Sequence, residues 1–318
     1  MIDISIETHK DLYLDYKKAL LYLKGINYLN FDYPNENTFF HLYSELNTEK
    51  ELLSLKSYLA TQNLEKTSLI VWSDYDISTR KDLDRYKGLV DFRIYDAKEL
   101  ATGSPIEDSE IHLNLKNNAN HWMSSGIMRF LALFQFGGIY LDMDMVLLRD
   151  FKPILNQDFA YQWGASIDFS KKNIKDGDCH GPCAAMLGAV KGGNYIKKCL
   201  DRLSKTPPSG GTCYDEDMLA YVYRDTKFTV FPSAFFNTEW QMNTSYKDGK
   251  RYYNAQGEGT LTESGWFKRN EYSDRLFLEA FSWHWHNSSY RDKKIENGSK
   301  FNLLQDKISE LLKNKGII

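Results

Sequence analysis

Two aspartates one residue apart, Asp142 and Asp144, directly follow the apolar triplet Ile139-Tyr140-Leu141. Carboxylates at that spacing can hold a hard divalent cation through oxygen and leave positions open for water and substrate phosphates. Upstream, Arg129 is the only charge in the apolar stretch Ser124–Phe136. Burying an unpaired guanidinium is costly, so Arg129 requires an anion, either a protein carboxylate or a ligand phosphate. Late in the chain, Phe281, Trp283 and Trp285 alternate with Ser282, His284 and His286. That is the period of a half-buried strand, and it predicts both histidines on one face, about 7 Å apart at ~3.4 Å of rise per residue. Imidazole beside carboxylates suits Mn²⁺ better than Mg²⁺. A further acidic group, Asp215, Glu216 and Asp217, opens an apolar-periodic segment. Acids in a first helical turn serve the helix dipole, and acceptor binding is the functional alternative.

The elements that must position these groups follow from periodicity. Ile127, Phe130, Leu131 and Phe134 have helical spacing, so Ser124–Phe136 is a predicted helix, mostly apolar all round and therefore covered on both sides. Gly137-Gly138 turns the chain into a buried strand at Ile139–Leu141, leaving Asp142 and Asp144 where that strand runs out. Open α/β sheets bind ligands at such carboxyl ends. Thr38–Leu46, Ser68–Trp72 and Val90–Tyr95 read as further strands, with a helix at Lys50–Asn63 between the first two. This rhythm predicts an α/β domain with a mostly parallel, Rossmann-like sheet and helices on both faces. Downstream come an apolar run at Cys183–Val190, a helix at Asn194–Ser204, a loop at Thr206–Thr212 and a helix from Asp215 through Tyr221. A strand at Lys227–Phe231 precedes an irregular, flap-like region at 241–275. Helical spacing at each end, over 11–29 and at Phe301–Leu312, divides the chain into an N-terminal addition (1–36), the main domain (37–290) and a C-terminal amphipathic helix (291–318).

Ser125, Arg129, Phe130, Gly137, Gly138, Ile139, Tyr140, Asp142 and Asp144 stand in a register that resembles one family. It is the DXD-containing glycosyltransferases that include the glycolipid α1,4-galactosyl- and α1,4-N-acetylglucosaminyltransferases, the initiating α1,6-mannosyltransferases and the glucosylating clostridial toxins. The resemblance implies a GT-A fold, a nucleotide-diphosphate sugar donor (UDP- or GDP-linked), a glycan or glycolipid acceptor, a bound Mn²⁺ or Mg²⁺, and retention of anomeric configuration. It assigns Asp142, Asp144 and His284 to the metal, and Asp142, Asp144 and Arg129 to catalysis. Tyr43, His41, Ser125, Arg129, Tyr140 and Asp74 go to the donor, with Tyr43 stacking on the base and Asp74 near the ribose. Asp215, Glu216, Asp217 and His286 are the acceptor-side candidates. Two positions depart from the family pattern. Gly126 stands where relatives carry an Asp that helps bind the donor sugar, and the family Asn near Cys183 is absent.

The totals narrow the alternatives. With 40 basic and 43 acidic residues the net charge is −3, which leaves no basic footprint for nucleic acid. The longest apolar run, Ile127–Leu141, is broken by Arg129 and Gln135, so no integral membrane segment is expected. The start, Met1–Lys10, is not a signal peptide, and the expectation is a cytoplasmic enzyme of bacterial or viral type, with peripheral attachment at a membrane's inner face left open. Cys179, Cys183, Cys199 and Cys213 lack a second pair at zinc-site spacing and read as free thiols of a reducing compartment, where the sequons at Asn243, Asn287 and Asn297 carry no meaning. Two other functions fit part of the pattern. Asp142-Met143-Asp144-Met145-Val146 matches the nucleophile motif of HAD-type phosphatases, although that motif normally opens its domain. A sugar-nucleotide-binding homologue without turnover fits the two departures.

Overall fold

The computed structural model describes residues 1–26, 31–109, 121–170, 181–205, 214–247, 250–253 and 266–318. Its centre is a seven-stranded sheet whose spatial order is β3-β2-β1-β4-β7-β6-β8. The strands are β1 (Thr38–Tyr43), β2 (Thr67–Ser73), β3 (Val90–Ile94), β4 (Gly138–Leu141), β6 (Phe159–Gln162), β7 (Pro182–Ala189) and β8 (Thr229–Phe231). β3, β2, β1 and β4 are mutually parallel, β7 runs against both β4 and β6, and β8 is parallel to β6. Only β7 is reversed, so the sheet is mostly parallel as the strand–helix rhythm predicts. β4 is the middle strand, paired on both sides through Ile139, Tyr140 and Leu141. Its apolar triplet is buried throughout, as a central strand requires.

The two glycines before β4 are required sterically. Gly137 and Gly138 have φ of +67° and +94°, and a Cβ on Gly138 would sit 1.9 Å from the Phe39 carbonyl oxygen. No side chain fits there. The helix α5 (His121–Phe136) packs on β1, β4 and β7, and the glycine turn drops the chain from its end straight into the sheet.

Two helices precede the sheet, α1 (Ile6–Leu14) and α2 (Tyr16–Gly25), where the periodicity predicts one. Asp15 divides them by accepting from the Lys17 and Lys18 amides (2.9 and 3.3 Å), a cap that halts one helix and starts the next. The Tyr13 hydroxyl donates to the Val230 carbonyl (2.8 Å), which ties this pair to β8. Residues 27–30, at the end of the predicted span, lie outside the described residues.

Helix α3 (Glu49–Thr61) is started by Thr48, whose hydroxyl accepts from the Glu51 amide while the Glu51 carboxylate reaches back to Thr48 and to the Asn47 amide. The remaining helices are α4 (Ala97–Ala101), α6 (Asn194–Lys205), α7 (Tyr214–Asp225), α8 (Thr238–Asn243), α9 (Asn287–Tyr290) and α10 (Lys300–Asn314). α10 packs on α3, and the Lys315 ammonium donates to the Leu59 and Gln62 carbonyls at the end of α3. Among the described residues no helix is long and apolar enough to cross a membrane. Cys183 and Cys199 are buried free thiols, whereas Cys179, Cys213 and the predicted loop Thr206–Thr212 lie outside the described residues.

The region 241–275 holds more order than its composition suggests: it begins with the end of α8 and a hairpin of β9 (Thr244–Lys247) and β10 (Lys250–Tyr253). Off the main sheet, β5 (Met145–Leu147) pairs with β11 (Ser282–His284) in a two-stranded antiparallel ribbon. This ribbon brings the two ends of the site together.

Candidate active site

The site is built where β4 ends. The Met145 amide donates to the Asp142 carbonyl (3.0 Å), closing a turn that holds Asp142, Met143 and Asp144. Helix α3 braces that turn from behind: the Ser54 hydroxyl donates to the Met143 carbonyl (2.6 Å), and the Ser57 hydroxyl accepts from the Leu147 amide (2.9 Å). Both serines are fully buried. Their signal in the sequence is two polar residues on an otherwise leucine-lined helix face, which periodicity alone does not single out.

Asp144 faces the ribbon. In register His284 lies opposite Met145, which sets its imidazole Nε2 3.2 Å from Asp144 Oδ2. The Asn287 amide donates to the same oxygen (2.7 Å). Asp144 Oδ1 is buried and has no hydrogen-bond partner. Burial opposes ionisation of Asp144, but His284, His286 and the Asn287 amide outweigh it, and the carboxyl is held below its usual range. On the far side of His284, Nδ1 meets the Tyr161 hydroxyl at 3.2 Å.

Asp142 faces the other way. Its Oδ1 accepts from the Tyr140 hydroxyl (2.7 Å) and lies 3.2 Å from an Arg129 guanidinium nitrogen. Burial, with Asp144 nearby, pushes this carboxyl up although Arg129 and Tyr140 pull it down. Arg129 is 5 % exposed, and its other contacts settle which anion it takes in this structure. It lies 3.3 Å from Asp215 Oδ2, donates to the Ala184 carbonyl (2.6 Å), and stacks over the Tyr140 ring at 4.7 Å. Burial alone would depress its pKa, but Asp142 and Asp215 more than reverse that.

The acidic opening of α7 therefore belongs beside Arg129. Asp215 and Glu216 stand with Asp142 around one guanidinium, three carboxyls to one cation. Burial raises both, and the neighbouring Asp215 helps push Glu216 up to about 8. Asp215 Oδ1 and Glu216 Oε2 are buried without hydrogen-bond partners. Asp217, on the same first turn, is part-exposed. Gly126 faces Asp215 directly: a Cβ there would meet Asp215 Oδ1 at 2.8 Å.

At the ends of β1 and β2 the Tyr43 hydroxyl donates to Asp74 Oδ1 (2.6 Å), so these two donor candidates form one unit at the same sheet edge. Ser125 is part-exposed at the start of α5, and its carbonyl accepts from Arg129 Nε (3.4 Å).

Two expectations are corrected. His41 is 0 % exposed and does not face a ligand space. Its Nε2 donates to the Gly137 carbonyl (2.9 Å) and its Nδ1 accepts from the Trp72 indole (3.3 Å), so it clamps the glycine turn from within the core. The two late histidines do not project in parallel at strand spacing. β11 stops at His284, and His286 adopts φ +54°, folding its ring onto His284 with centroids 3.9 Å apart. Alternation signals a strand but is blind to one residue of reversed φ.

A bound cation is implied by the motif, and the donor chemistry fits one: an orphaned, charged carboxylate oxygen on Asp144 with an imidazole beside it. Among the described residues no preassembled group of three or more His, Cys, Asp or Glu ligands is present. Substrate oxygens and water would have to complete the shell, as hard cations in phosphoryl-bearing sites commonly require.

Residues 43–160 match the family described as the glycosyltransferase sugar-binding region containing DXD motif. No curated protein matches the chain. Among solved structures, an active-site mutant of LgtC is 14% identical with a TM-score of 0.49, the alignment covering 85% of this chain and 96% of that one. The glycosyltransferase GlyE of Streptococcus pneumoniae TIGR4 is 12% identical with a TM-score of 0.47, covering 89% of this chain and 64% of that one. The PaToxG glycosyltransferase is 14% identical with a TM-score of 0.41, covering 68% and 78% respectively.

Proposed function

We propose, from the match of residues 43–160 to the glycosyltransferase sugar-binding region containing DXD motif, a metal-dependent, retaining transfer of a hexose from a nucleotide-diphosphate sugar to a glycan or glycolipid. The observation that carries the reading is Asp144. One of its oxygens is fixed by His284 and the Asn287 amide, while the other is charged, buried and unpartnered. A buried anionic oxygen with nothing to bind is costly unless a ligand satisfies it.

Asp144, with His284 beside it and Asp142 directly or through water, would hold Mn²⁺ or Mg²⁺, which supplies charge neutralisation for a departing diphosphate. Tyr43 and Asp74 provide the base and ribose contacts at the β1–β2 edge. Asp215 and Glu216 act on the donor side rather than with the acceptor: Asp215 Oδ2 pairs with Arg129, and the unpartnered Asp215 Oδ1 and Glu216 Oε2 would accept from sugar hydroxyls. Arg129 braces that pocket through Asp142 and Asp215, and its reach to the diphosphate is secondary. Charge stabilisation by preset groups, with no protein base assigned, drives the step.

The phosphatase alternative needs Asp142 as its nucleophile; one of its two carboxylate oxygens is engaged by Tyr140 and Arg129. The test is hydrolysis of a panel of UDP- and GDP-sugars by purified protein, with Mn²⁺ and with chelator. Asp144→Ala is expected to abolish metal-dependent turnover while leaving the circular dichroism spectrum unchanged. Substantial residual turnover in that variant would overturn the metal role, and binding without turnover on any acceptor would favour a non-catalytic homologue.

A further inference from the structure

Beyond the metal pole, the ribbon carries a set of aromatic rings that the donor half does not use. His286, stacked on His284, is enclosed by three indoles: Trp240 at 4.3 Å, Trp266 at 5.8 Å and Trp163 at 5.9 Å between centroids. Trp266 is 1% exposed and closes the back of this group. Trp163 and Trp240 are different: both are part-exposed, and their rings lie 5.4 Å apart at an angle of 46°. Trp163 has a buried indole N–H that finds no hydrogen-bond partner in the structure. Two part-exposed indoles set at an angle make a shallow apolar floor. Such a floor suits a pyranose ring, whose C–H face is apolar.

Position sharpens the assignment. Trp163 follows β6 directly, Trp240 lies on α8, and His286 separates them from His284 and Asp144. The floor thus adjoins the His284–Asp144 pair through His286. We propose that Trp163 and Trp240 form the acceptor subsite, stacking a pyranose of a neutral glycan next to the donor sugar. This rests on the transferase reading above. His286 is the positioning residue of the floor: its Nε2 pairs with the Asn237 amide at 3.0 Å, and its ring fixes the Trp240 plane.

Two measurements test it. In the first, methyl glycosides of galactose, glucose, mannose and N-acetylglucosamine are titrated into the protein while intrinsic tryptophan fluorescence is recorded. At least one is expected to shift the emission, and Trp163→Ala with Trp240→Ala is expected to remove the shift. Absence of any response in the wild type overturns the proposal. In the second, acceptor-independent hydrolysis of the best nucleotide sugar is compared with transfer to the best glycoside. The double variant is expected to raise the acceptor KM roughly tenfold or more, the scale of one lost aromatic contact, with hydrolysis unchanged. Trp163→Phe, which keeps a smaller stacking ring, is expected to fall between. Equal losses of hydrolysis and transfer would place the indoles in the donor half and refute the subsite. If the wild type hydrolyses no nucleotide sugar, the transferase reading fails by itself, and the fluorescence titration still reports whether the floor binds a pyranose.

Discussion

Asp215 Oδ1 lies 2.8 Å from the point a Cβ on Gly126 would occupy. A carboxylate from α7 thus fills the space beside α5 that a side chain at position 126 would claim, and it pairs with Arg129 across 3.3 Å. The family pattern that this stretch resembles has an Asp at that position; here an acid reaches the same space from a different helix. Gly126→Asp should therefore place two carboxylates in one space and lower donor-dependent turnover roughly ten- to a hundredfold, matching about 1.5–3 kcal/mol for a charged hydrogen bond. Adding Asp215→Ala to Gly126→Asp should restore much of the loss, so that the double variant outperforms either single one. Kinetics of all three would decide it; a double variant worse than both singles would mean the two positions are not exchangeable.

Tyr161 controls His284 from behind. In the neutral tautomer that directs Nε2–H at Asp144 (3.2 Å), Nδ1 accepts from the Tyr161 hydroxyl (3.2 Å). For Nε2 to offer a lone pair to a cation, the proton must move to Nδ1, and the tyrosine oxygen can then accept it. A hydroxyl serves both tautomers. Tyr161→Phe should weaken Mn²⁺ binding on the order of tenfold, as loss of such outer partners does. Calorimetric titration of the metal reads this without turnover, and an unchanged affinity would remove Tyr161 from the role.

Burial lowers the His41 pKa to about 4 from the ordinary 6.5. Protonation at Nδ1 would set an N–H against the Trp72 indole N–H. Between those two values the unfolded chain binds a proton that the folded chain refuses, so stability is present above the ordinary histidine value and is lost as pH falls toward 4. His41→Gln should reduce the slope of unfolding free energy against pH in this window by up to about 1.4 kcal/mol per unit. Denaturant titrations at several pH values measure it; identical slopes would show His41 to be uncoupled.

Behind β11, Lys300 and Glu239 form an ion pair at 2.9 Å with side chains 0% and 2% exposed. Trp283, the neighbour of His284, donates its indole N–H to the same Glu239 oxygen (2.9 Å). Lys300→Met strands a buried carboxylate and should cost about 3–5 kcal/mol, whereas Lys300→Met with Glu239→Leu should recover most of it. Thermal melts of the four-member cycle give the coupling, and simple additivity would argue against a linked pair.

Much of the fold was legible locally. The apolar periodicity of α5, the glycine pair and the triplet of β4 all act within a few residues, and each appears where expected. Boundaries failed where one side chain or one torsion intervened. Asp15 capped a new helix inside a continuous periodic pattern, and the positive φ of His286 ended an alternation that looked like a longer strand. His41 was misread because its position on β1 says which strand it occupies but not which carbonyl and indole it meets.

By itself, the sequence determined that two aspartates would close a central strand and that a lone buried arginine would need an anion, since both follow from short-range patterning and the cost of burying charge. Only the tertiary structure decided which anions answer Arg129, why position 126 holds glycine, and that two histidines stack face to face. Those outcomes depend on the order of strands and on the β5–β11 ribbon, which bring distant segments within hydrogen-bond reach. No periodicity within one segment records such distances.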